Sequence, residues 1–273
     1  MWRKPLQWEP VRFGSQGTVL TAHRCGVGSP VVLLHGSGLD DHRAFDAVAA
    51  ALVPRYLVLG VDVRGHGLSK CADASLHTWD QYAADVVALL DHLSLPAAVI
   101  GGYSFGAGIA IATATRHSTR VRGLLLGWPA YAGECNGLTE RQGVAWAAAR
   151  RQVESVRSMG LRETLSLARE RQPLDALTEA RLARQDEASL LAALDGELQT
   201  SQPFASEDQL RQISVPALVV PGLDDAHDPL IAEMYERCLQ GAVSVVGSPM
   251  EPLGDPAKVR AFLDGSLRES DSV

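Results

Sequence analysis

The stretch AVIGGYSFGAGIAIA, residues 98–112, constrains the fold more than any other part of the chain. An apolar run leads directly into Gly102-Tyr103-Ser104-Phe105-Gly106 and out into an Ala/Ile-rich helical segment, residues 106–117. Glycines on either side of the serine permit a sharp strand-to-helix turn that lifts its Oγ above the carboxyl edge of a sheet. A serine held in this way needs a parallel sheet beneath it.

Further short apolar runs supply that sheet: VVLL (31–34), YLVLGVD (56–62), VRGLLLG (121–127), PALVVPG (216–222) and VSVVG (243–247). Continuous runs of this length suit strands buried on both faces. Between them, residues 79–93 place Tyr82, Val86, Leu89, Leu90 and Leu93 on one helical face. Strand and helix in alternation imply right-handed crossovers and a doubly wound sheet. After Trp128-Pro129 the alternation stops for about seventy-five residues rich in Ala, Arg, Glu and Leu. This reads as a helical cap, residues 129–205, inserted in a discontinuous core of residues 1–128 and 206–273. Its Trp146, Met159, Leu165 and Leu167 either line a pocket or pack internally.

Composition narrows the partners. The net charge of -7 is dispersed, and the lysines are only Lys4, Lys70 and Lys258, so no basic stripe suits a phosphate backbone. Neither a signal peptide nor a run of about 20 apolar residues is visible. The expectation is a cytoplasmic protein, monomer or homodimer, that does not engage nucleic acid or membrane. Cys25, Cys71, Cys135 and Cys238 lack metal-ligand spacing and read as buried, reduced thiols. No Gly-x-Gly-x-x-Gly follows a strand, and no cofactor or metal is implied.

Two more runs end strands at the same edge, His35-Gly36-Ser37-Gly38 and Asp62-Val63-Arg64-Gly65-His66-Gly67-Leu68-Ser69. Together with the elbow they resemble the α/β-hydrolase superfamily, over nearly the whole chain. The resemblance implies the α/β-hydrolase fold, a mostly parallel doubly wound sheet with the cap inserted after its sixth strand. It implies Ser104 as the nucleophile position, and the backbone N–H groups of Ser37 and Phe105 as an oxyanion hole. It also implies an acid in the turn Gly222-Leu223-Asp224-Asp225, where Asp225 fits the spacing better and Asp224 reads as a turn cap.

The family's histidine belongs on the loop after the last strand. That loop reads GSPMEPLGDP, residues 247–256, with Pro249 at the vacated position and no histidine anywhere after His227. A serine hydroxyl is a poor nucleophile until a base accepts its proton. His42, His227 and Glu251 are the candidate substitutes, each with a blander alternative as a capping or solvated residue.

The leading expectation is therefore an enzyme with an elbow and oxyanion hole but no usable triad, acting next to a carbonyl as an epimerase, isomerase, lyase or cyclase on a small molecule or peptide under the cap. Backbone donors aimed at a carbonyl oxygen also stabilise an enolate. The alternatives are a serine esterase, amidase or thioesterase with a relocated base, and a catalytically inactive ligand-binding protein.

Overall fold

The computed structural model describes residues 6–199, 202–246 and 251–270. The chain opens with an antiparallel hairpin, β1 (Glu9–Ser15) and β2 (Thr18–Cys25), turned at Gln16 and Gly17, both with positive φ. The apolar runs read from the sequence omit this hairpin.

The runs that were read become β3 (Ser29–Leu34), β4 (Tyr56–Asp62), β5 (Ala98–Tyr103), β6 (Val121–Gly127), β7 (Ala217–Val220) and β8 (Val243–Ser244). Among the described residues one eight-stranded sheet has the order β1-β2-β4-β3-β5-β6-β7-β8, parallel from β4 to β8, as the α/β-hydrolase fold requires. Here β8 is two residues long, shorter than the run that suggests it.

Burial on both faces follows the two-residue period of the strands. Val32 and Leu34 of β3 join a core with Tyr82 and Val86 of α2 (Trp79–His92), Ile109 of α3 (Phe105–Arg116), Leu210 of α8 (Glu207–Arg211) and Tyr235 of α9 (Pro229–Cys238). Val31 and Leu33 join the opposite core with Leu52 of α1 (Asp46–Leu52) and Leu263 of α10 (Pro256–Ser270).

Between β6 and β7 run α4 (Glu140–Met159), α5 (Leu161–Ala168), α6 (Ala176–Leu182) and α7 (Glu187–Gln199). Thr139 opens α4 with a capping box closed by Gln142. Cys25, Cys71 and Cys238 are buried as expected, but Cys135, between β6 and α4, is exposed.

The strand registers bring three turns together. Leu34 lies opposite Val61 on one side and Gly102 on the other, so the runs after β3, β4 and β5 leave the sheet side by side. Crowding there explains the glycines. A Cβ on Gly106 would overlap the Leu34 carbonyl oxygen, and one on Gly102 would lie 2.6 Å from the same atom. Gly106→Ala is expected to cost about 3 kcal/mol or more in urea unfolding. Gly143→Ala, on an exposed and uncrowded face of α4, is expected to be neutral or to stabilise by up to about 1 kcal/mol.

Candidate active site

Ser104 occupies φ 52° and ψ -118°, a backbone region that L residues rarely adopt. Its N–H donates to the Gly127 carbonyl at 3.0 Å, and its own carbonyl accepts from Ala107 at 3.0 Å as α3 begins. Phe105, the first residue of that helix, has an N–H with no intrahelical acceptor, which suits an oxyanion donor.

The turn bearing Ser37 is held from both ends. His35 donates from Nδ1 to the Gly36 carbonyl at 2.7 Å and accepts at Nε2 from the Val63 N–H at 3.0 Å, which sets its tautomer. The Tyr103 hydroxyl donates to Asp40, and its ring packs so closely on Gly36 that a Cβ there would lie 2.7 Å away. The residue before the serine is thus tied to the oxyanion turn.

The imidazole that meets Ser104 comes from the loop after β7. His227 Nε2 lies 2.8 Å from Ser104 Oγ, and His227 Nδ1 lies 2.8 Å from Asp224 Oδ1. The assignment consistent with both contacts has the serine hydroxyl donating to Nε2 and Nδ1–H donating to the carboxylate. Asp224 Oδ1 also accepts the N–H groups of Ala226 at 2.9 Å and His227 at 3.0 Å, closing the turn that aims the ring. Gln142 of α4 braces the loop from above, donating to the carbonyls of Ala226 at 3.0 Å and Ala130 at 2.7 Å. Burial holds the His227 imidazole below its ordinary pKa, against the pull of Asp224. It is therefore neutral, and able to accept a proton, at pH 7.

Ser104 and His227 open onto a cavity of about 300 Å³ between the sheet edge and the insertion. Leu39, Trp146, Val153, Leu161, Leu165 and Leu190 contribute to an apolar lining, interrupted by Ser37, Gln152 and Glu197. Trp146 and Leu165 thus face the cavity, whereas Met159 and Leu167 are exposed to solvent.

The family described as "Serine aminopeptidase, S33" matches residues 28–237. The chain belongs to the α/β-hydrolase superfamily. A 2-hydroxymuconate semialdehyde hydrolase from a Pseudomonas species is 35% identical over 106 residues, 38% of each chain. The dihydrolipoyllysine-residue acetyltransferase component of the acetoin cleaving system of Pseudomonas putida is 34% identical over 208 residues, 74% of this chain and 53% of that one. The match thus spans roughly two fifths to one half of these relatives. An esterase from Exiguobacterium antarcticum superposes with a TM-score of 0.72 at 20% identity, over 96% of this chain and 99% of the other.

Several expectations change within this α/β-hydrolase. Asp225 does not reach the histidine. It is 60% exposed and accepts from Arg141 Nε at 3.0 Å and Nη2 at 2.8 Å, pinning α4 to the loop. The carboxylate on His227 is Asp224, because one turn of chain separates the two and Asp225 points to the other side.

His42 is no base for Ser104. Its ring stacks on His23 at 3.4 Å, and its Nδ1 lies 2.8 Å from Asp62, within the buried cluster under the oxyanion turn. Burial lowers its pKa although Asp62 opposes the shift. Glu251 lines a separate small cleft with Phe45, Pro252 and Pro256 and does not line the Ser104 cavity. Pro249 lies outside the described residues.

The Asp-x-x-His spacing was the signal available for the pair, since three residues let a carboxylate close a turn and meet the imidazole. Asp224→Ala is expected to lower kcat roughly 10- to 100-fold, less than the ~10⁴ lost with a buried triad acid. Asp225→Ala should stay within about threefold of wild type in the same steady-state assay, an effect no larger than that of an exposed ion pair.

Proposed function

We propose that this chain is a serine hydrolase that cleaves an ester or related acyl bond of a small-molecule or peptide substrate held beneath the insertion, which acts as a cap. The 2.8 Å contact between His227 Nε2 and Ser104 Oγ carries the reading. The expected enolate chemistry starts from a site without a base; the contact supports the alternative, a hydrolase with a relocated base.

His227 takes the serine proton as Oγ attacks the acyl carbon, and Asp224 holds the imidazole in orientation and offsets its positive charge. The carbonyl oxygen, as it becomes an oxyanion, turns to the N–H groups of Ser37 and Phe105. The imidazolium then protonates the leaving group, and an acyl-enzyme remains on Ser104. Water, deprotonated by the same imidazole, releases the acid and restores the serine. The apolar lining favours an acyl group that is largely hydrocarbon.

Intact mass spectrometry after exposure to a fluorophosphonate tests the reading, because the probe bonds to a serine only where the site activates it. One label per chain is expected, none in Ser104→Ala, and a rate lower by about 10³-fold or more in His227→Ala. Labelling unaffected by the His227 change would overturn the assignment of the base. With an uncharged p-nitrophenyl ester, kcat/KM should rise with pH through a pKa below the ordinary histidine value of about 6.5, since protonated His227 cannot accept a proton. A rising limb centred above 7 would contradict the neutral, buried imidazole.

A further inference from the structure

One carboxyl group stands in the apolar cavity without a countercharge. Glu197 of α7 lines it together with Ser37, Ser104 and His227. The carboxyl accepts the Tyr131 hydroxyl at 3.1 Å, and Ser37 lines the same cavity, where its hydroxyl favours the ionised carboxyl. Tyr131 is itself fixed by Tyr235, whose hydroxyl donates to the Tyr131 carbonyl at 3.0 Å.

The titratable and charged groups around Glu197 are few. Tyr131 comes from the segment after β6 and Tyr82 from α2, while His77 packs against Gly196 from the turn before α2. His227 faces the same cavity. The guanidinium groups nearby are engaged elsewhere: Arg157 of α4 pairs with Asp195, and Arg150 donates to the Leu198 carbonyl at 3.1 Å. Ser37 is the link to chemistry, because it shares the cavity wall with the carboxyl while its N–H is the one assigned to the oxyanion.

We propose that Glu197 is a positioning residue of the oxyanion hole that supports turnover while protonated and suppresses it when ionised, and so restricts the cavity to acyl groups without negative charge. This rests on the hydrolytic reading of Ser104. An ionised carboxylate beside Ser37 opposes the second negative charge that forms on the carbonyl oxygen, and the apolar lining screens the two weakly. A protonated carboxyl can keep the Tyr131 hydrogen bond and adds no such charge. Burial pushes the Glu197 carboxyl up to about 7, against the opposing influence of Ser37 and Tyr131, so the change of state falls in the neutral range.

The test is the pH dependence of kcat/KM for p-nitrophenyl hexanoate and for the mono-p-nitrophenyl ester of adipic acid, whose acyl chain ends in a carboxylate. Wild type is expected to give a bell, with a rising limb from His227 and a falling limb near pH 7 from Glu197. Glu197→Gln, which keeps the shape but cannot ionise, should rise to a plateau and stay level up to pH 9. The preference of wild type for hexanoate over the adipate ester should grow by about tenfold between pH 6 and 8, as two like charges come to share the cavity. In Glu197→Gln that ratio should not change with pH.

A falling limb that survives in Glu197→Gln, or a wild-type profile level to pH 9, would overturn the proposal. The wild-type profile and substrate ratio decide the matter even if the variant does not fold. Turnover of neither ester, with no fluorophosphonate label on Ser104 at any pH, would instead overturn the hydrolytic reading and this inference with it.

Discussion

The pairing of Leu34 with Gly102 is the contact on which the rest of the site depends. Neighbouring parallel strands that stay in register to their ends release their following turns side by side. Here those turns carry Ser37 and Ser104. The elbow turns so tightly that the first turn of α3 lies against the Leu34 carbonyl, a space closed to any side chain at Gly106. The unfavourable φ at Ser104 persists because strand pairing, the Ser104–Gly127 hydrogen bond and the packing of α3 all fix the same geometry.

A buried polar cluster joins the insertion to those turns. Asp62, at the end of β4, accepts from the His42 N–H at 3.2 Å, the Leu68 N–H at 3.0 Å and Arg184 Nη2 at 2.9 Å, with both His23 and His42 against it. Burial opposes its ionisation, but the hydrogen bonds from His23 and His42 outweigh that and hold the carboxyl well below its usual range. Arg181, just before Arg184, pairs with Asp40 at 2.8 Å, and Asp40 takes the Tyr103 hydroxyl. Buried ion pairs of this kind add little net stability, since desolvation cancels much of the attraction. What they supply is position: the insertion, the oxyanion turn and the residue before Ser104 share one set of charges.

The elbow, the His-Gly-x-Gly turn and the doubly wound sheet were legible in the sequence because each is dictated locally, by glycines where a Cβ cannot fit and by apolar runs of strand length. The acid and base were harder to read. Whether Asp224 or Asp225 meets the imidazole depends on which way each side chain leaves one tight turn, and Arg141, eighty-four residues earlier, takes the other carboxylate. By resemblance a histidine belongs after β8, whereas His227 stands one strand earlier. Glu197 looks like any glutamate on an Ala/Leu-rich helix until α7 is folded against Tyr131 and Ser37. The hairpin of β1 and β2 escaped notice because TVLTAHRC mixes polar and apolar residues, as an antiparallel strand at the margin of a sheet does.

Placing acid and base on one turn changes how the pair works. In a triad whose acid is buried and distant in sequence, the carboxylate acts through a low dielectric and strongly favours the imidazolium. Asp224 has a side chain 62% exposed, and the oxygen that meets the ring is shared with two backbone N–H groups. Water and those donors weaken its hold on the imidazolium, while burial acts on the ring itself. Desolvation of the ring therefore prevails, and the imidazole is a weaker base than one backed by a buried carboxylate. In compensation it remains unprotonated further into the acid range, the same range in which the Glu197 carboxyl keeps its proton. The two shifts, one down and one up, both arise from burial in the apolar cavity that the helical insertion makes above the sheet.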